Sequence, residues 1–319
     1  MNKNISKLST QIYKNDVLKV LESNYSKIGS LWVNLQVERC NDIYASFKDH
    51  DKYLIVIYLI RKTLDFYSNN LTKLNFTDFY SENSIEIEPF NIIEISKNIM
   101  IPKESSRRKI IELEESGIIK KNRKKITIDK STTPFLNPDN SIKRISRFLN
   151  IFSGILKDNK ILQNKLSSEK LEQIIKKNYS DVWLHYYNMQ IKIMLNWKKV
   201  FIDLETWHIW SVCAIHQHSQ ALKFDNISNH RNEFMKEFMH SNNLVYGVNT
   251  MSISEITGIP RTTVVRKLNT LIKLKNLKIN HKKQYTLNGT HIKKLIPVQN
   301  ISINAMAGFA THVYNLAIL

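Results

Sequence analysis

Residues 251–287, MSISEITGIPRTTVVRKLNTLIKLKNLKINHKKQYTL, decide how the rest of the chain is read. Ile253, Ile256 and Ile259 mark a short helix with one apolar side. It closes at Gly258, where a residue without a Cβ takes the positive φ of a tight turn. Pro260 suits a helix entrance, because the N–H it lacks is one that a helix start leaves unbonded. Thr262 or Thr263 is placed to cap the first turn. Val264, Leu268, Leu271 and Ile272 recur at helical spacing and are expected in the core, which turns Arg261, Thr262, Thr263 and Arg266 outward. Residues 278–287 read as a hairpin with a basic tip of His281, Lys282 and Lys283 and a returning strand Tyr285-Thr286-Leu287. From Arg261 to Lys283 there are eight Lys or Arg and no Asp or Glu. Cations and hydroxyls at the start of a helix, followed by a basic hairpin, suit the major groove of duplex DNA and its flanking phosphates.

The order Ile253-Ser254-Glu255-Ile256-Thr257-Gly258-Ile259-Pro260, followed by Arg261-Thr262-Thr263-Val264-Val265-Arg266, resembles the winged helix-turn-helix of MarR- and IclR-like bacterial transcriptional regulators. The likeness covers 35 of 319 residues. It implies a dimeric, groove-reading repressor or activator. In this half the DNA-contacting residues are then Arg261, Thr262, Thr263, Arg266 and Lys267 on the second helix, with Lys282 and Lys283 on the wing. A winged helix can also serve only as a protein-interaction scaffold, but the acid-free basic face favours a polyanion.

A second copy lies upstream. Residues 91–128, NIIEISKNIMIPKESSRRKIIELEESGIIKKNRKKITI, align with the first stretch at an offset of 158 without a gap. Between Ile95 and Lys125 eleven of thirty-one positions are identical, among them Pro102/Pro260, Arg108/Arg266, Lys109/Lys267 and Lys120/Lys278. Chance would give roughly two or three, so the chain carries an internal repeat. Further upstream the offset is 154. Leu8, Ile12, Val17, Val20 and Leu21 answer to Leu162, Leu166, Leu171, Ile174 and Ile175, and the apolar run 53–60 answers to 207–214. Downstream, a helix over 142–156 answers to one over 302–314. The chain is therefore divided at about Lys157 to Lys160 into units 1–158 and 159–319, with helix-turn-helix and wing at about 91–128 and 251–287. The expected fold is mainly α with small β wings: tandem winged helix-turn-helix units plus long packing helices, in a pseudo-two-fold arrangement. In MarR-like dimers the terminal helices form the interface, so by resemblance this chain is a covalent pseudo-dimer. The inserts, 66–89 and 221–250, fit the pattern worst; the second carries a short helix over 232–240.

The upstream copy is less suited to DNA. Ser106 stands where Val264 packs, Glu104 sits in the base-facing turn, and Glu112, Glu114 and Glu115 crowd the distal end. Lys103, Ser105, Arg107 and Arg108 remain candidate groove residues, and Lys121, Arg123, Lys124 and Lys125 candidate phosphate contacts on the wing.

Composition agrees with a polyanionic partner: 47 Lys and Arg against 28 Asp and Glu give a net charge of +19. Two cysteines, Cys40 and Cys213, supply neither a disulfide framework nor a zinc cluster, and a reducing cytoplasm is expected. Seven glycines and no phosphate-loop motif leave no nucleotide cofactor to assign. The start of the chain has no signal-peptide core. Residues 301–319 lack Lys, Arg, Asp and Glu but contain Ser302, Asn304, Thr311, His312 and Asn315, so they read as a buried packing helix and no membrane partner is expected. In the aromatic segment 207–218, Cys213 and His216 make one i, i+3 step, two ligands short of a structural zinc site, so core packing is the better account. A small-molecule effector between this segment and residues 183–197 is compatible with the aromatic content, and the apolar tail could pair two chains into a further homodimer. No nucleophile, base or paired carboxylate can be assigned, and no enzyme activity is expected. The partner is double-stranded DNA, read by a sequence-specific transcriptional regulator. Two rivals are a plasmid-type replication initiator with tandem winged helices and a non-catalytic scaffold. Binding sites in direct repeats beside an AT-rich region would mark the initiator; absence of duplex binding would mark the scaffold.

Overall fold

The two runs 53–60 and 207–214 become the centre of the molecule. Every side chain from Tyr53 to Ile60 and from Trp207 to Ala214 is buried, as expected of helices enclosed on all sides. The computed structural model describes residues 11–123, 125–133, 136–223, 228–240 and 247–318. In chain order these form α1 (Lys14–Ser23), α2 (Tyr25–Phe47), α3 (His50–Asn69), α4 (Phe76–Tyr80), β1 (Ser84–Ile87), α5 (Ile92–Ile99), α6 (Lys103–Glu115), β2 (Ile119–Asn122), β3 (Lys125–Asp129) and α7 (Asp139–Asp158). There follow α8 (Ser168–Lys177), α9 (Tyr179–Phe201), α10 (Leu204–Ala221), α11 (Arg231–His240), α12 (Thr250–Thr257), α13 (Arg261–Lys273), β4 (Leu277–Ile279), β5 (Tyr285–Leu287) and α14 (Ile292–Ile318). The fold is mainly helical with two small antiparallel sheets.

The packing is crosswise. α3 carries α5, α6 and β1 of its own half but lies along α9 of the other, and α10 carries α12, α13 and β5 but lies along α2. Truncating a fully buried centre residue such as Leu54 to Ala would cost about 2–5 kcal/mol. The outer helices exchange in the same way, α1 against α14 and α8 against α7. Asn315 of α14 holds the backbone of Ile12, accepting from its N–H at 2.9 Å and donating to its carbonyl at 3.2 Å. Leu166, which answers to Ile12, is held in turn by α7: its N–H donates to the Ser153 hydroxyl at 3.0 Å and its carbonyl accepts from Asn150 at 2.5 Å.

Each half starts its central helix on a capping aspartate. Asp49 accepts from the N–H groups of Asp51 and Lys52, and Asp203 from that of Thr206. Each aspartate also receives a lysine: Lys109 reaches Asp49, and Lys267 reaches Asp203. Two contacts tie the halves together across the centre, His50 Nδ1 to Glu205 at 3.2 Å and Lys198 to Asp51 at 2.8 Å.

The insert 66–89 is more ordered in pattern than its composition suggested. Residues 84–87 alternate in burial and form β1, which pairs antiparallel with β3 from Ser84 opposite Asp129 to Ile87 opposite Ile126, giving the order β1-β3-β2. The second sheet has only β4 and β5, with β1 represented by a single bridge, Val248 to Tyr285. Gly247 is required there, because a Cβ would lie 2.5 Å from the Tyr285 carbonyl oxygen. The short helix expected over 232–240 is α11, while Leu8 and much of the second insert lie outside the described residues. α14 begins ten residues before the expected 302 and buries Ile303, Met306, Ala310, Val313 and Tyr314, the packing helix expected of this tail. Among the described residues no helix is long and apolar enough to cross a membrane.

Candidate nucleic-acid interface

α12 ends where the glycine places it: Gly258 has φ 68° and its N–H donates to the Ser254 carbonyl. The inner line of α12 is Ile253 and Thr257, an i, i+4 pair; Ile256 falls off that line and is 46% exposed, contrary to expectation. Ile259, beyond the helix, is fully buried and plugs the turn, and its carbonyl accepts from the Ser254 hydroxyl at 2.7 Å. α13 then starts at Arg261 with Pro260 in the N-cap position. No side chain caps it, so Thr262 and Thr263 do not play the expected role and the first-turn N–H groups stay open. Val264, Leu268 and Leu271 are fully buried and Ile272 half-buried.

This anchoring sets the outer face. Arg261, Thr262 and Arg266 are exposed and Thr263 is half-buried. Lys267, expected among them, is not on that face: its side chain is turned in to Asp203 and is 11% exposed. The reason is periodicity, since Lys267 is three residues after Val264 and shares the buried side. β4 and β5 pair from Leu277 opposite Leu287 to Ile279 opposite Tyr285, leaving a tip, 280–284, folded on Asn280, whose side-chain carbonyl accepts from the N–H groups of Lys282 and Gln284. Lys282 and Lys283 are exposed on this tip. Among the described residues, Arg261, Arg266, Lys273, Lys275, Lys278 and Lys283 have no carboxylate within salt-bridge reach.

The first copy has the same path and different electrostatics. α5 ends on Met100 at φ 56°, the position of Gly258. α6 starts after Pro102, again without a side-chain cap. Ser106 is fully buried in the place of Val264, and its hydroxyl donates to the Ile101 carbonyl at 3.2 Å, so the polar side chain is tolerated. Lys103, Arg107, Arg108, Lys121, Arg123 and Lys125 are exposed and Ser105 is half-buried; Lys124 lies outside the described residues. Most of these cations have acidic neighbours: Arg107 to Glu104 at 3.8 Å, Arg108 to Glu112 at 3.6 Å, Lys121 to Glu114 at 2.5 Å and Lys125 to Glu86 at 2.9 Å. Lys120 meets Asp129 at 2.7 Å, and hydrogen bonds from Lys120 and from Ser131 hold that carboxyl down at about 2.

The hairpins also differ in length. β2 and β3 are joined by two residues, and the return strand of the second copy runs one residue later, so Ile126 answers to Tyr285. Lys125 therefore opens β3, whereas Lys283, matched to it in the ungapped alignment, sits in the turn at φ 56°.

Elsewhere, the aromatic segment of α10 is core: Cys213 is 1% exposed and burial pushes its thiol up to about 12. The void beside it, lined by Trp32, Trp197, Trp207 and Trp210, measures about 60 Å³. Ligand sites occupy roughly 300–1,000 Å³, so a small-molecule effector would require α10 and its neighbours to part. The chain matches no protein-family model, no curated protein and no solved structure.

Proposed function

We propose that the chain is a sequence-specific, double-stranded-DNA-binding transcriptional regulator, non-catalytic, with two winged helix-turn-helix units in a single-chain pseudo-dimer. The observation that carries this reading is the cationic face of α13 and the β4–β5 hairpin. There Arg261, Arg266, Lys278 and Lys283 are held out by a buried apolar side, without carboxylate partners among the described residues. Free surface cations release counterions when they meet phosphate, which is the main source of duplex affinity. The uncapped first turn of α13 adds open N–H groups and the positive end of a helix dipole beside Arg261 and Thr262. The crosswise packing of α3 on α9 and α10 on α2, with matching contacts at Ile12 and Leu166, supports the pseudo-dimer. Arg261, Thr262, Thr263 and Arg266 face the bases in this reading; Lys282 and Lys283 face phosphate; Lys267 is a structural residue. Lys103, Ser105, Arg107, Arg108, Lys121, Arg123 and Lys125 form the weaker second contact.

The test is fluorescence anisotropy on random-sequence duplexes and then on a selected site. Wild-type protein binds duplex with a steep salt dependence. Arg261→Ala and Arg266→Ala each lose about 1–3 kcal/mol on the selected site and relax preference at one position. Variants that keep wild-type discrimination remove these residues from base reading, and absence of duplex binding at low salt removes the function.

A further inference from the structure

Three ligand-bearing side chains meet away from the cationic face. Asp181 and His185 lie one turn apart near the start of α9, and His312 reaches them from α14. One ligand atom from each lies within 4.8 Å of the others. Both imidazoles present Nε2 to the same carboxylate: His312 to Oδ2 at 2.8 Å and His185 to Oδ1 at 3.9 Å. Their rings stack with centroids 3.8 Å apart and planes 27° from parallel. The carboxylate between their Nε2 atoms supplies the negative charge that a shared cation needs.

We infer that Asp181, His185 and His312 form a binding site for a divalent transition metal ion of the zinc class, joining α9 to α14. Two imidazole nitrogens and one carboxylate oxygen are a borderline-soft set that suits Zn²⁺ or Co²⁺ over Mg²⁺ or Ca²⁺, which favour all-oxygen sites. Spacing i, i+4 on one helix lets Asp181 and His185 reach one ion, and half exposure leaves a fourth position for water. To bind one ion the two imidazoles leave their stack and turn their Nε2 atoms toward a common point, and the ion replaces the hydrogen bond between His312 and Asp181. The site belongs to one half alone: at the repeat offset of 154, Lys27 and Leu31 stand where Asp181 and His185 do. Its location gives it a consequence. α14 also reaches α1 through Asn315 and α7 through Tyr314, whose hydroxyl donates to the Leu149 carbonyl at 2.7 Å, so an ion there pins the helix that closes both halves.

The experiment is titration of metal-free full-length protein with Zn²⁺ by calorimetry and with Co²⁺ by visible absorption, alongside thermal melts. Wild type takes up one equivalent at micromolar concentration, Co²⁺ develops the bands of a low-coordinate nitrogen–oxygen site, and the melting temperature rises with Zn²⁺. His185→Gln, at an exposed position that tolerates the change, and His312→Gln each weaken uptake at least about 100-fold. His230→Gln, in the separate pair with Glu233 at 2.7 Å, leaves it unchanged. No uptake by wild type at millimolar Zn²⁺, or uptake that survives both His185→Gln and His312→Gln, overturns the assignment.

Discussion

α6 and α13 follow the same path and share Pro102/Pro260, Arg108/Arg266 and Lys109/Lys267, yet the outward cations of one are mostly ion-paired, while Arg261 and Arg266 of the other meet no carboxylate among the described residues. Part of the cation set is shared, Lys103, Arg108 and Lys120 answering to Arg261, Arg266 and Lys278, while Arg107 and Lys121 answer to Val265 and Ile279. Glu86, Glu104, Glu112, Glu114 and Asp129 each meet a cation in the first copy; at the matching positions the second has Gly247, Thr262, Thr270, Ile272 and Asn288. Arg108 lies 3.6 Å from Glu112, while Arg266, four residues before Thr270, has no acid to meet among the described residues. The exposed pairs among these, such as Arg107 with Glu104 and Arg108 with Glu112, add little to stability, so an uncharged residue in place of Glu104 or Glu112 costs the fold little, and Arg266 is left free for a partner. The second lysine of the pattern was kept for a different reason: Lys109 and Lys267 are both anchors to the aspartates that cap α3 and α10.

Moving the acids should disturb this contrast most. Thr262→Glu with Thr270→Glu in α13 should lower duplex affinity by about an order of magnitude or more at low salt. The logarithmic salt slope should flatten by about 0.9 for each phosphate that the protein no longer neutralises. The reverse change, Glu104→Thr with Glu112→Thr in α6, should raise non-sequence-specific affinity. Equal responses to the two exchanges, read by anisotropy across a salt series, would show that the copies do not differ in function.

Breaking an anchor should affect the fold and not the DNA. Asp203→Ala removes the cap on Thr206 and leaves the Lys267 ammonium without its partner in a mostly buried place, and should lower stability by about 2 kcal/mol. Denaturant melts measure the loss, and affinity per folded molecule should stay within a few-fold. A large change in affinity with unchanged stability would return Lys267 to the DNA face.

The halves also differ across their shared centre, and pH should reveal it. Burial alone would lower His50, but the neighbouring Cys40 sulfur and the Glu205 carboxylate outweigh it and raise it to about 10. A raised basic group stabilises fully below its ordinary 6.5, and that contribution fades as pH climbs toward 10. Glu205 moves down despite burial, mainly through the His50 hydrogen bond, so its contribution is present above the ordinary 4.5 and is lost as pH falls further below it. Melting temperature should therefore decline from pH 7 to 10, and His50→Gln should flatten that limb. An unchanged profile in the variant would assign the decline to other groups.

The smallest effect concerns the turns. Met100 adopts the left-handed conformation that Gly258 adopts in the other copy, and Lys275 adopts the one that Gly117 does. Met100→Gly should stabilise by up to about 1 kcal/mol, relieving a conformation that disfavours a Cβ. A loss of stability would mean that the half-exposed Met100 side chain makes contacts worth more than the strain.

The mainly helical fold with small sheets was legible because the repeat made each helix visible twice: Val264, Leu268 and Leu271 are core because their spacing says so. Three features escaped, each for a physical reason. β1 is four residues long and lies in an acidic stretch, so its alternation carries little signal until β3 pairs with it. Lys267 reads as a surface cation until Asp203, sixty-four residues away, is placed beside it. His312 is 131 residues from Asp181, and no local spacing rule could join them. Along the chain, charge shows composition; only the fold shows which charges are already paired.

One chain should present two unequal DNA-reading helices, with the α13 side dominant. Selection of bound sites from a random duplex pool, combined with the stoichiometry of the complex on the enriched site, decides this. The predicted result is one chain per site on an imperfect palindrome, its half-sites one helical turn apart or about 34 Å, with one half clearly better specified. Arg261→Ala should relax that better half. No enriched sequence, two halves equally specified, or an array of direct repeats occupied by several chains would refute it.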